Sequence, residues 1–97
     1  TKENILVNEI APRVHNSGHL TINAYNVSQF ENHVRAVCSQ PQIPLKKISN
    51  AKMLNLLGDQ INIYRNKKLS PNEFFYDYQK SEIKNNRKMG HLTTLVK

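Results

Sequence analysis

The first apolar residues of the chain, Ile5-Leu6-Val7, form a continuous run. A short continuous apolar run is typical of a buried strand, so the pattern predicts a strand over residues 1–9. Residues 10–19, which include Pro12, predict a loop after it. In open α/β sheets, ligands tend to bind at the carboxyl ends of strands, and the predicted strand would present Glu9 at such an end.

The next apolar residues are spaced as in a helix. Phe30, Val34 and Val37 recur on one helical face. Ser28 and Glu31 form a capping box at the start of the same segment, because each side chain can bond the other's backbone N–H. The pattern predicts a helix over residues 28–39 whose apolar face packs on a sheet.

Pro41 and Pro44 end this helix and begin an extended connector, which is the best candidate for a domain boundary. After it, apolar and aromatic segments alternate with turn residues, a pattern typical of strands. The predicted strands are residues 48–57, 74–80 and 88–96, with turns at Gly58-Asp59 and Asn85-Asn86 and one or two helical turns within 61–67. The fold class predicted for the whole chain is α+β, with a β-rich second half.

Composition narrows the class of protein further. Ninety-seven residues, 38% of them hydrophobic, suffice for one small globular unit. No apolar run approaches the ~20 residues of a membrane helix, and the single Cys38 excludes an internal disulfide, so we expect a cytoplasmic protein that does not enter a membrane. The net charge of +7 predicts an anionic partner, such as a phosphate, a nucleotide or nucleic acid. Thr1 in place of an initiator Met predicts a piece of a longer protein.

Residues 8–19 contain the densest group of side chains able to bind metal and phosphate. The Glu9 carboxylate, beside the Asn8 amide, suits Mg²⁺, which prefers hard oxygen ligands and completes its shell with water and substrate phosphates. Arg13 can bind a phosphate bidentately and stabilise charge on a transferred phosphoryl group. The alternative is an ordinary surface ion pair between Glu9 and Arg13.

The same segment continues with His15, Asn16 and Ser17, which offer donors and acceptors for a sugar phosphate or a ring. Zinc binding by His15 and His19 would require a helix for their i, i+4 spacing and a third ligand that is not evident. A purely structural imidazole is the remaining alternative for either histidine.

Lys80 and Arg87 bracket a basic connector between the last two predicted strands. Both cations suit phosphate, the lysine as a point charge and the arginine as a planar fork. Tyr76 and Tyr78 would share one strand face, and aromatic residues in that arrangement can bind nucleic acid. No nucleic-acid-binding motif surrounds them, so a core role is favoured.

Several of these segments together are similar to one enzyme family. The segments are Asn8-Glu9-Ile10-Ala11-Pro12-Arg13, His15-Asn16-Ser17-Gly18-His19, Ser28-Gln29-Phe30-Glu31, Asn55-Leu56-Leu57-Gly58 and Arg87-Lys88-Met89-Gly90-His91. In this order they resemble the carboxyl-terminal part of 5-(carboxyamino)imidazole ribonucleotide synthases, the ATPase subunits of phosphoribosylaminoimidazole carboxylase in the ATP-grasp superfamily. The resemblance implies the end of an ATP-grasp domain at residues 1–43 and a small β-rich carboxyl-terminal domain at 44–97.

The resemblance also implies a reaction and its participants. ATP would activate bicarbonate as carboxyphosphate, and 5-aminoimidazole ribonucleotide would accept the carboxyl group, with release of ADP and phosphate. Glu9 would bind Mg²⁺ and, with Asn8, lie at the ATP phosphates. The implied contacts to the ribonucleotide are Arg13, His15, Asn16, Ser17, Lys80 and Arg87, with Arg13 and Lys80 also acting in catalysis.

The family further implies a homodimeric parent with no nucleic-acid partner. This chain lacks the amino-terminal and central parts that such an enzyme needs, so we expect it to be inactive alone. Two other classes stay open: formate-dependent glycinamide ribonucleotide transformylase, another ATP-grasp enzyme with a similar Glu-to-Pro-Arg loop, and a basic nucleic-acid-binding module.

Overall fold

The computed structural model describes residues 4–96, which form a three-stranded antiparallel sheet with short helices. The α+β class is confirmed. In chain order the elements are a 3-10 helix at Asn16–Gly18, α1 (Thr21–Ala24), α2 (Gln29–Val37), β1 (Asn50–Leu57), α3 (Gln60–Arg65), β2 (Glu73–Asp77) and β3 (Lys88–Val96). No helix among the described residues has the length and apolar character needed to cross a membrane.

Strand β3 lies between β1 and β2 and pairs with both. Leu92 is opposite Leu54 on one side and Phe75 on the other. The three strands predicted in the second half are confirmed, although β2 ends at Asp77 instead of continuing to residue 80. The prediction of a buried strand is wrong for most of β1, which is an edge strand: its residues alternate between exposed and partly buried positions, and only Leu56 within it is buried.

The core lies where α3 packs against the sheet. Leu56, Ile61 and Met89 are almost fully buried there, with Tyr64 and Phe75 packed around them. The short helix predicted within residues 61–67 is therefore real, and its burial supplies the stabilisation that so short a helix lacks by itself. The turn after β1 is also confirmed, with Gly58 at φ 58°, a left-handed conformation that glycine adopts without strain.

Polar contacts join the two halves of the chain. The carbonyl of Ala24 accepts hydrogen bonds from the backbone N–H groups of Ile48 and Ser49, at 2.7 and 3.2 Å. The Tyr76 hydroxyl donates to Asn23 Oδ1 at 2.7 Å, across 53 residues of sequence. Residues on both sides of the proposed boundary at 43/44 therefore contact each other, and the boundary itself stays a prediction.

The strand predicted over residues 1–9 is wrong for the part that the structure describes; residues 1–3 lie outside it. Residues 4–10 have no regular structure, and Ile5, Leu6 and Val7 are each at least 79% exposed. A strand needs a neighbour for its backbone N–H and C=O groups. No strand among residues 4–96 pairs with residues 5–10, so this apolar run does not become a strand.

Helix α2 is confirmed, with the N–H of Glu31 donating to Ser28 Oγ at 3.1 Å. The expectation that its apolar face packs on the sheet is wrong, because Phe30, Val34 and Val37 are 38%, 58% and 71% exposed. The helix is held instead through a polar residue. Asn32 exchanges two hydrogen bonds of 3.0 Å with the backbone of Ile43, in the connector.

Truncation of the core residue of α3 tests this packing. We expect Ile61→Ala to lower the free energy of unfolding by about 2–5 kcal/mol, because Ile61 is 0% exposed and its loss leaves a cavity. Ile63→Ala, on the same helix at 64% exposure, is the matched control and should change it by no more than about 0.5 kcal/mol. Urea unfolding followed by circular dichroism measures both. Equal midpoints for the two variants would contradict the assigned core.

Candidate functional site

Two of the amino-terminal candidate residues lie in a segment without regular structure. Asn8 and Glu9 are in the exposed segment, and Glu9 forms no ion pair within the described chain. Arg13 Nη1 donates to the carbonyl of Val14 at 3.5 Å and borders a shallow groove of about 310 Å³ together with Gln29. The Glu9–Arg13 ion pair considered as an alternative is therefore not formed.

His15, Asn16 and Ser17 lie in the turn that the 3-10 helix makes. The N–H of Ser17 donates to His15 Nδ1 at 3.3 Å, and the N–H of Gly18 donates to the His15 carbonyl at 3.0 Å. His15 Nδ1 is thus an acceptor, and in the neutral ring the proton is on Nε2. The turn occupies the predicted loop and gives its three polar side chains a fixed backbone.

Whether these residues could bind a metal ion depends on which ligand side chains lie close together. Among residues 4–96 no group of three or more His, Cys, Asp or Glu side chains is arranged to hold a metal ion. His19 Nδ1 lies 2.8 Å from Gln29 Nε2, which does not suit the zinc alternative. A single exposed carboxylate, Glu9, fits Mg²⁺ only as one ligand, with the remaining ligands coming from water, phosphates or other protein groups.

The basic connector approaches the amino-terminal turn through β3. Lys88, the first residue of β3, donates from Nζ to Asn16 Oδ1. Lys80 Nζ donates to the Lys88 carbonyl at 2.6 Å, and Arg87 Nη1 donates to the Glu82 carbonyl at 3.1 Å. The structure therefore brings Asn16 close to the basic connector, although the two are more than sixty residues apart in sequence.

Four residues at or near this contact are not among the site residues predicted from the sequence: His19, Tyr78, Lys88 and His91. His91 is 2% exposed, and its Nδ1 lies 2.7 Å from the Tyr78 hydroxyl. The His19 and His91 rings are 5.2 Å apart. Lys88 and His91 both lie in the Arg87-Lys88-Met89-Gly90-His91 motif, which is the sequence signal that could have indicated them.

These rings border an open groove of about 500 Å³ between helix α2 and strand β2. Phe30, Tyr76 and Tyr78 contribute aromatic surface to it, and His19 and His91 contribute imidazoles. His91 Nε2 is buried without a hydrogen-bond partner within the part of the chain described here. A buried polar atom in this state is a position where a water or ligand atom gains a hydrogen bond.

The electrostatics favour neutral imidazoles beside cations. Burial, reinforced by His19 and Lys88, lowers the pKa of His91 to about 4. Burial lowers the pKa of His19 as well, with further contributions from Lys88 and His15. Burial and the nearby Lys80 lower the pKa of Lys88. Additional positive charge is therefore unfavourable among these groups. An anion bound among them would reduce the repulsion between Lys80 and Lys88.

Comparison with known proteins identifies the class of protein. Residues 1–30 match the ATP-grasp domain, and residues 51–97 match the phosphoribosylaminoimidazole carboxylase C-terminal domain. The small sheet and the helices thus correspond to the end of an ATP-grasp domain followed by that carboxyl-terminal domain.

Individual relatives agree with this class. The N5-carboxyaminoimidazole ribonucleotide synthase of Bacillus subtilis is 47% identical over 92% of this chain and 24% of its own length. The crystal structure of the Staphylococcus aureus N5-carboxyaminoimidazole synthetase superposes with a TM-score of 0.86 and 42% identity, over 99% of this chain and 27% of that one. The crystal structure of the Aspergillus clavatus synthase in complex with ADP and 5-aminoimidazole ribonucleotide superposes with a TM-score of 0.77 and 37% identity. The match covers 87% of this chain and 24% of that one.

The chain belongs to the N5-carboxyaminoimidazole ribonucleotide synthase family, as the motifs in its sequence indicated. It spans about a quarter of the length of the curated relatives that it matches.

The lowered pKa of His91 predicts how stability depends on pH. In the unfolded chain this histidine binds a proton near its ordinary pKa of 6.5. In the folded chain its pKa is about 4, so it binds the proton only at lower pH. Stability is therefore complete above pH 6.5 and falls as the pH drops toward 4, by at most about 1.4 kcal/mol for each pH unit.

Replacement of His91 tests whether this residue causes the loss of stability at low pH. We expect His91→Gln to flatten the decrease in stability between pH 6.5 and 4, measured by urea unfolding at several pH values. His33→Gln, which removes an exposed histidine from α2, is the control and should retain the wild-type slope. A His91→Gln variant with the wild-type slope would show that His91 does not resist protonation.

Proposed function

We propose that this chain supplies one side of the active site of an ATP-dependent ligase that carboxylates 5-aminoimidazole ribonucleotide. The contact between Lys88 and Asn16 carries the proposal, because it joins the turn rich in ribonucleotide-binding groups to the basic connector. The ADP and 5-aminoimidazole ribonucleotide in the Aspergillus clavatus complex support the same ligand classes.

The proposed reaction has two steps. An oxygen of bicarbonate attacks the terminal phosphorus of ATP, the bond to ADP breaks, and carboxyphosphate forms. The amine nitrogen of the ribonucleotide then attacks the carboxyl carbon, phosphate leaves, and the nitrogen loses a proton. The products are N5-carboxyaminoimidazole ribonucleotide, ADP and phosphate.

In this proposal the phosphate of the ribonucleotide binds Lys80 and Arg87. Both cations donate to backbone carbonyls in the structure, of Lys88 and Glu82 respectively. A phosphate dianion is a stronger acceptor than a carbonyl, so each cation can exchange its present partner for substrate. Among residues 4–96, the Arg87 guanidinium bonds only to the Glu82 carbonyl inside the connector, which favours this exchange.

The polar turn would bind the rest of the ribonucleotide. His15, Asn16 and Ser17 offer an N–H, an amide and a hydroxyl on one short 3-10 helix, while Lys88 holds the Asn16 amide. Arg13 borders the neighbouring groove, and its contact with the reacting groups stays a prediction.

Asn8 and Glu9 are proposed to lie at the ATP phosphates, with Glu9 as one Mg²⁺ ligand. Bound Mg²⁺ would neutralise charge on those phosphates. The chain matches only the end of the ATP-grasp domain, so we expect turnover to require a full-length protein that carries this chain. A homodimeric state of that protein is likewise a prediction.

Removal of a proposed phosphate contact tests the function. In a full-length protein that carries this chain, we expect Lys80→Ala to lower kcat/KM for 5-aminoimidazole ribonucleotide by about 10- to 100-fold, the loss typical of one charged hydrogen bond. ADP release that depends on bicarbonate and the ribonucleotide is the assay. Lys84→Ala is the control, because Lys84 lies on the same connector and its ammonium pairs with the exposed Glu82.

The outcomes distinguish the competing classes. Equal effects of the two substitutions would contradict the role of Lys80. Activity with formate and glycinamide ribonucleotide, but none with bicarbonate and 5-aminoimidazole ribonucleotide, would instead assign the chain to the transformylase.

The metal role of Glu9 has its own test in the same protein. We expect Glu9→Gln to raise the Mg²⁺ concentration needed for half-maximal ADP release, because a neutral amide is a weaker ligand for a hard cation than a carboxylate. Glu31→Gln is the control, since the Glu31 carboxylate pairs with Arg35 on the exposed surface of α2. An unchanged Mg²⁺ dependence in Glu9→Gln would remove Glu9 from the metal site.

A further inference from the structure

The side chain of Gln29, the first residue of α2, contacts the turn that carries the proposed substrate-binding residues. Its Oε1 accepts from the backbone N–H of His15 at 2.9 Å, and its Nε2 donates to the His15 carbonyl at 2.8 Å. The carboxamide thus pairs with both backbone groups of one residue, as a neighbouring strand would. Nε2 also lies 2.8 Å from Nδ1 of His19.

These contacts fix the orientation of the amide and the tautomer of His19. The His15 N–H can only donate and the His15 carbonyl can only accept, so Oε1 and Nε2 cannot be exchanged. The second Nε2 hydrogen is then available to His19, whose Nδ1 must accept it. The neutral His19 ring therefore has its proton on Nε2.

The backbone at the start of α2 reinforces the same turn. The N–H of Gln29 donates to Thr21 Oγ1 at 2.9 Å, and the Thr21 hydroxyl donates to the Gly18 carbonyl at 2.5 Å. Gly18 also leaves space for the carboxamide, since a Cβ there would lie 2.4 Å from Gln29 Oε1. The turn and the glutamine thus fit each other sterically as well as by hydrogen bonds.

We propose that Gln29 is a positioning residue: it holds the His15–Ser17 turn in the conformation that brings Asn16 to Lys88, and it keeps the His19 proton on Nε2. The catalytic consequence rests on the proposed function, because it assumes that this turn binds the ribonucleotide. The effect on the His19 tautomer does not depend on that function.

The tautomer provides the first test, in a full-length protein that carries this chain. The ¹⁵N chemical shifts of the His19 ring should show an unprotonated Nδ1 in the wild type and a protonated Nδ1 in Gln29→Glu, because a carboxylate accepts where the amide donated. Gln40→Glu is the matched control, since Gln40 is an exposed residue beyond the end of α2, and it should retain the wild-type shifts. Unchanged His19 shifts in Gln29→Glu would overturn the proposal.

Steady-state kinetics provide the second test. Gln29→Met keeps the side-chain length but removes both hydrogen-bonding atoms, and we expect it to raise KM for 5-aminoimidazole ribonucleotide about tenfold while KM for ATP stays within about twofold. If Gln29 had a merely structural role, its replacement would alter the KM values for both substrates or the amount of folded protein. Wild-type KM values in Gln29→Met would overturn the positioning role.

The two tests separate the two proposals. A wild-type protein with no turnover that depends on 5-aminoimidazole ribonucleotide would refute the proposed function, and the His19 tautomer would still decide the role of Gln29. Turnover in the wild type together with unchanged His19 shifts in Gln29→Glu would refute only the role of Gln29.

Discussion

Pairing of β3 with both other strands is the constraint on which the rest of the structure depends. Strand β3 supplies Met89 to the core. Two further residues of the same strand, Lys88 and His91, belong to the candidate site. Gly90 allows the close approach of β2, since a Cβ at this position would lie 2.3 Å from the Tyr76 carbonyl oxygen. The position of the basic residues relative to the amino-terminal turn thus follows from the packing of the sheet.

The sequence predicted the second half of the fold well because local signals there agree with tertiary burial. The strand residues and the turn glycine Gly58 indicated elements that form, whereas residues 61–67 indicated no more than one or two helical turns. The amino-terminal strand could not be judged locally, because an apolar run such as residues 5–7 becomes a strand only beside a partner. The predicted packing of α2 on the sheet is also wrong, because the polar side chains of Gln29 and Asn32, and not the apolar face, attach the helix to the rest of the chain.

The candidate site shows the same division. Residue type and motif predict Lys80, Arg87 and the polar turn as site residues, and that role stays a prediction. Lys88 and His91 acquire their properties only in the fold. Burial of His91 and its proximity to His19 cannot be deduced from spacing, because 72 positions separate the two rings. Gln29 resembled an ordinary helix-start residue, and only the three-dimensional structure reveals its contacts with His15.

The distances in sequence between contacting residues also imply an order of assembly. Gln29 lies only 14 residues from His15, so the polar turn can form as soon as α2 does. The Lys88–Asn16 contact spans 72 residues and requires the last strand of the sheet. During synthesis the turn therefore leaves the ribosome well before the cation that completes it. The proposed anion site is therefore complete only after residue 88 has been made and β3 has paired.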